Sequence, residues 1–186
     1  YVGGYGSQAP YLTDVTVEKC AGTKGKAFGG AVYAQENDLI SSAAEWTDRG
    51  LHLVRCVVRD CSAHSGAGVY AARGSLWIRD GTSFERNAAA FEGGGVTVLT
   101  GTLYIADSSF VHSAAASDGG GVSATSASLR VIDSRFEGSA SLRGGAIRAR
   151  DCRDATGNNA VTLTNVTVAG SQSKVSGAIH VSDVDL

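Results

Sequence analysis

An acidic or amide residue recurs at one place in a repeating pattern: Asp14, Asp80, Asp107, Asp133 and Asn165, interrupted once by Arg55. Most copies follow an apolar-x-apolar triplet, as in Leu76-Trp77-Ile78 and Leu103-Tyr104-Ile105. If successive units stack, these carboxylates lie about 5 Å apart, the separation at which two acids can share the cleavage of a glycosidic bond. Asp80, Asp107 and Asp133 are therefore the catalytic residues of an alternative reading, a polysaccharide-active lyase or hydrolase. Three facts weigh against it. A catalytic site is one cluster, whereas these acids form a column. Asp and Asn at strand ends ordinarily close Asx turns. The histidines His52, His64, His112 and His180 occupy four different repeat positions, and no base recurs beside the acids. The expected role is non-catalytic, with no metal site and no cofactor.

The elements that carry this column are legible from a second motif. Gly30-Ala31-Val32, Ala67-Gly68-Val69, Gly94-Gly95-Val96, Gly120-Gly121-Val122, Gly145-Ala146-Ile147 and Gly177-Ala178-Ile179 recur with their apolar members 37, 27, 26, 25 and 32 residues apart. A fixed period of this kind is the signature of a solenoid. The two longer intervals contain polar inserts over 36–50 and 150–160. Alternation over three or four residues predicts about three short strands per unit. Strands this short, without hairpin turns, pair with their copies in the next unit. The predicted architecture is an all-β parallel β-helix of about six coils, one segment over 1–186. Phe or Val at 17, 58, 84, 110, 136 and 168 is expected to fill the core at one corner. Three residues later, Cys20, Cys61, Asn87, Ser113, Ser139 and Ser171 form an inward polar ladder.

Stacking turns the search for binding residues into a search for columns. The outward residue between the two apolar ones reads Tyr11, His52, Trp77, Tyr104, Arg130 and Thr162. This strip of rings is the candidate binding face. It could stack on sugar rings or dock a protein, with cation–π support from Arg130, or simply stabilise the sheet as cross-strand pairs. A second outward column reads Tyr33, Tyr70, Thr97, Ser123, Arg148 and His180. Cys20 and Cys61 fall in one column and are disulfide candidates; Cys56 is a core filler, and Cys152 in the second insert has no evident mate. Asn165-Val166-Thr167 is a glycosylation sequon, effective only in a eukaryotic secretory pathway.

Composition agrees. Across 186 residues the net charge is −2, which leaves no electrostatic footprint for nucleic acid. Twenty-five glycines beside one proline exclude both helical and collagen-like folds. No apolar run approaches the roughly 20 residues of a membrane-spanning helix. Methionine is absent, so Tyr1 is expected to begin a fragment or processed product. The seven-residue step from Val69 to Leu76, repeated from Ile179, lands on Leu186, where a further strand is expected to begin.

Gly144-Gly145-Ala146-Ile147 and Phe84-Glu85-Arg86-Asn87 resemble the GGA[ILV] and FxxN repeats of polymorphic outer membrane proteins. The resemblance runs through all six repeats, although Cys or Ser replaces the Asn in most copies. It implies a right-handed β-helix, the hand also usual for parallel crossovers. It further implies a surface or extracellular structural and adhesive module without catalysis, contacting protein or glycan partners and flanking parts of the same longer chain.

Overall fold

The computed structural model describes residues 9–22, 27–35, 50–153 and 160–182. They form a parallel β-helix in which, among the described residues, every strand pairing is parallel and joins equivalent residues of neighbouring coils. Val69, Val96, Val122, Ile147 and Ile179 stand directly over one another, as the glycine motif requires. The expected start at Leu186 and most of the two inserts lie outside the described residues.

Each coil crosses the stack through ladders of short strands. The first ladder contains Tyr11–Thr13, Leu51–Val54, Ser75–Arg79, Gly101–Ala106, Ala127–Ile132 and Val161–Thr164. The second holds Thr16–Glu18, Val57–Arg59, Ser83–Glu85, Ser109–Val111, Arg135–Glu137 and Thr167–Ala169. The glycine-motif strands Val32–Ala34, Val69–Ala71, Val96–Val98, Val122–Thr125, Ile147–Arg150 and Ile179–Ser182 close the coil. These are the three strands expected of a unit. A further short ladder, Ser62–Ser65, Ala88–Glu92, Ala114–Ala115, Ala140–Arg143 and Gln172–Ser176, lies between the polar-ladder residue and the glycines.

The corners are built from specific backbone conformations. Asp14, Arg55, Asp80, Asp107, Asp133 and Asn165 all adopt left-handed φ between 46° and 57°. Asp and Asn enter this region more readily than other side chains, so the recurring acid has a conformational reason to exist. At Gly93-Gly94-Gly95 each glycine meets a different constraint. Gly93 has φ 62°; a Cβ on Gly94 would lie 2.4 Å from the carbonyl oxygen of Gly120; one on Gly95 would lie 2.8 Å from Cδ1 of Phe110.

Inside, Phe84, Phe110 and Phe136 stack at centroid spacings of 4.8 and 4.7 Å and are fully buried. The ring spacing is the rung spacing, because the same corner is filled the same way in three coils. The third glycine position is matched to this stack. It is Gly68, Gly95 and Gly121 against Phe84, Phe110 and Phe136, but Ala31 and Ala146 where the next coil offers Val58 and Val168. Within the expected polar ladder Asn87 makes cross-rung bonds to the backbone: its Oδ1 accepts from the amide of Cys61 at 3.0 Å and its Nδ2 donates to the carbonyl of Val58 at 2.9 Å. The Oγ atoms of Ser113 and Ser139 are buried without a hydrogen-bond partner.

Candidate functional site

The outward column of the first ladder is in register: Tyr11 pairs with His52, His52 with Trp77, Trp77 with Tyr104, Tyr104 with Arg130, and Arg130 with Thr162. Its rings form a continuous pile. Tyr11 and His52 stack at 4.2 Å, His52 and Trp77 at 5.7 Å, and Trp77 and Tyr104 meet at 4.8 Å with a 42° tilt. One member departs from the expected exposed strip. His52 faces outward by register yet is fully buried, enclosed between the faces of its two neighbours. The accessible contact surface therefore falls into two parts, Tyr11 at one end and Trp77, Tyr104 and Arg130 at the other.

The second part borders a hollow of about 330 Å3. Trp77, Tyr104 and Arg130 supply one side, and Arg79, Asp80 and Asp107 the other. One small residue, Ala106, completes the lining. The outward positions beside the ring column read Val54, Arg79, Ala106, Ile132 and Thr164 down the ladder. Only at Ala106 does that column lack a side chain beyond Cβ, which adds to the room in the hollow. The aromatic strip and two of the three alternative catalytic acids thus share one site, which sequence spacing alone had not joined. Asp133 is not among the residues that line it.

The acids themselves are held as a corner column. Arg55 makes a two-pronged hydrogen bond to Asp14 (2.7 and 2.9 Å), which holds that carboxyl below the usual range. Asn165 donates to Asp133 at 2.6 Å. Arg79 Nε stands 3.9 Å from Asp80, close enough for charge compensation but not for a hydrogen bond. The hollow contains two guanidiniums and two carboxylates, so its formal charges cancel.

A second arrangement escaped the sequence. The outward residues Tyr70, Thr97, Ser123 and Arg148 are buried, because the short ladder folds against them. A facing column Phe28, Ser65, Glu92, Asp118, Arg143 and Ser176 closes the seam. Ser123 Oγ donates to Glu92 at 3.2 Å, and Arg143 grips Asp118 at 2.7 and 2.9 Å. Arg148 Nε lies 3.5 Å from the same carboxylate. Burial pushes the Glu92 carboxyl up, Ser123 opposes this, and neighbouring Asp118 adds to the rise. Burial also acts upward on Asp118, but its bonds from Arg143 and Ser117 outweigh it and leave the carboxyl below its ordinary value. Burial drives Tyr70 to about 12. The signal that could have found this seam is the charged residue just before three of the six glycine runs, at 92, 118 and 143.

Cys20 and Cys61 occupy equivalent positions on neighbouring rungs, flanked by the pairs Glu18 with Arg59 and Ala21 with Ser62. Both thiols are free; burial raises the Cys61 thiol, the backbone amide of Cys20 opposes this, and the charge of the neighbouring Cys20 adds to the rise. Cys56 lies in the apolar core as expected, and Cys152 joins it there. Asn165 and Thr167 of the sequon are exposed. Among the described residues no group of three or more His, Cys, Asp or Glu side chains could hold a metal ion, and no helix is long and apolar enough to cross a membrane.

These features define the chain's class as a parallel β-helix. No protein-family model, no curated protein and no solved structure matches it, so the class rests on the geometry of the ladders.

Proposed function

We propose that this chain is a non-catalytic structural and adhesive module of a cell-surface or extracellular protein. Its stacked rungs act as a stiff spacer, and Trp77 and Tyr104 with Arg130 form the contact surface. The observation that carries the proposal is the hollow beside Trp77 and Tyr104, where two large rings on adjacent rungs border an open polar cleft. Aromatic side chains of this kind anchor contacts by burying area at small entropic expense. The GGA[ILV] and FxxN repeats support placing the module with polymorphic outer membrane proteins, and the exposed Asn165 sequon would carry a glycan in a eukaryotic secretory pathway.

The test is attachment of the purified chain to immobilised glycans and to cell surfaces, with Trp77→Ala/Tyr104→Ala as the variant. Loss of attachment with an unchanged circular dichroism spectrum is expected; undiminished attachment refutes the role of the strip. A second reading, a polysaccharide lyase or hydrolase, is favoured by the presence of Asp80 and Asp107 in the same hollow. Turnover of a polysaccharide that disappears in Asp107→Asn would establish it and displace the adhesive one.

A further inference from the structure

Resting on the adhesive role just proposed, we infer that the occupant of the hollow is an uncharged saccharide, with hydroxyl groups held by Asp80 and Asp107 and its C–H surface packed against the sides of Trp77 and Tyr104 that border the hollow. Four observations lead there. First, the hollow is a mixed surface. Two aromatic rings on adjacent rungs meet each other at 4.8 Å and border the hollow together, while the opposite side is carboxylate and guanidinium. A protein partner would seek an apolar centre with charges kept to the rim; here the charges line the cleft itself. A pyranose ring presents both kinds of surface at once, C–H bonds on its faces and hydroxyl groups around its edge.

Second, the polar groups divide by role. An ionised carboxylate only accepts hydrogen bonds, and a guanidinium only donates. A sugar hydroxyl does both, so Asp80 and Asp107 take hydroxyl protons while Arg79 and Arg130 donate to hydroxyl or ring oxygens. Hydrogen bonds to charged groups are the stronger kind, and they convert a stacking surface into an oriented site.

Third, the charge balance disfavours an acidic chain. Arg79 and Arg130 are offset by Asp80 and Asp107 inside the hollow. Asp133 continues the corner column one rung beyond Asp107, where it accepts a hydrogen bond from Asn165 of the following rung at 2.6 Å. A uronate or sulfated sugar would meet carboxylates along that wall and gain no net attraction.

Fourth, the small side chain of Ala106 adds to the room in the hollow. Ile132 occupies the next position of the same column, so the fold accepts an isoleucine there. Ala106→Ile therefore places new atoms in the cleft while leaving its charged groups and rings unchanged, and it separates loss of binding from loss of folding.

The experiment is calorimetric titration of the purified chain with cellohexaose, mannohexaose and laminarihexaose, and with hexagalacturonate as the acidic counterpart. At least one neutral hexamer is expected to bind more tightly than hexagalacturonate. Asp107→Asn weakens it about tenfold, Trp77→Ala weakens it at least tenfold, and Ala106→Ile abolishes it while circular dichroism and the melting midpoint stay near those of the parent. Tighter binding of hexagalacturonate that still depends on Trp77 overturns the uncharged-saccharide inference and leaves the contact strip standing. Absence of binding to every hexamer, with cell attachment still lost in Trp77→Ala/Tyr104→Ala, also overturns it and assigns the strip to a protein partner. Indifference of attachment to the strip variants removes both.

Discussion

Replacing Gly95 by alanine tests whether the size match between the glycine corner and the phenylalanine stack governs this solenoid. Gly95 lies outside the left-handed φ region, so the substitution adds no backbone strain and its cost is steric. The new methyl would lie 2.8 Å from Cδ1 and 3.1 Å from Cε1 of Phe110, and 2.7 Å from the carbonyl oxygen of Gly121. The ring cannot swing away, because Phe84 and Phe136 hold it at 4.8 and 4.7 Å on either face. Overpacking of this kind costs about 1–3 kcal/mol. Phe110→Val alone removes most of a fully buried ring and costs about 2–4 kcal/mol. Together the two changes recreate the pairings of Ala31 with Val58 and Ala146 with Val168, where the fold carries the extra methyl. The double variant is expected to be more stable than the sum of its parts by about 1–2 kcal/mol. Urea unfolding followed by circular dichroism on the four proteins closes the cycle. A coupling energy below about 0.3 kcal/mol, or a Gly95→Ala protein as stable as the parent, refutes the size-match explanation.

Ser113→Asn is expected to stabilise the chain by about 1 kcal/mol, since the Asn87 geometry copied one rung on would replace an unpartnered buried hydroxyl with two hydrogen bonds; an unchanged unfolding midpoint counts against it. Asn87→Ala is expected to cost about 2–4 kcal/mol by stranding the Cys61 amide and the Val58 carbonyl. Glu92 has a folded-state pKa above its ordinary 4.5, so the native state binds its proton more tightly than the unfolded chain. Its contribution favours folding below pH 4.5 and fades as pH rises through the folded value. Glu92→Gln should therefore flatten the decline in stability above pH 4.5, read from melting midpoints across pH; a parallel curve for parent and variant refutes this. Oxidation with diamide is expected to join Cys20 and Cys61, seen by mass spectrometry as the loss of two hydrogens. The bond would close a loop of about 40 residues and raise stability by about 4 kcal/mol in the chain-entropy account.

The register of this fold was written in its sequence with little ambiguity. Val96, Val122 and Ile147 stack because glycine fixes the corner before each of them, and the ring column follows from strict alternation around Leu76, Leu103 and Leu129. What alternation could not convey was the concave seam. Glu92 and Arg143 sit at register shifts in the short ladder, where period-two logic breaks, and a charged residue beside glycines looks like solvated surface. The residues opposite them were assigned outward correctly, but outward at a concave corner means enclosed. His52 was hidden by a different effect. Exposure of a column member depends on the size of its neighbours, and Tyr11 and Trp77 are large enough to seal it. The hollow lay beyond the sequence for the converse reason, because Ala106 matters only through the side chain it does not have.

The pairing of a bare corner with a ring in the following coil also makes the interior rungs interchangeable parts. Any segment running from Val96 to Gly121 ends as its predecessor ends and offers Phe110 to whatever precedes it, so a tandem copy can be spliced in after Gly121 without disturbing either side. A segment built around Val168 at the same junction would leave a void beneath Gly121. Lengthening of such a rod by gene duplication is thus permitted at some junctions and penalised at others, and the boundary between the two is set by a single methyl group.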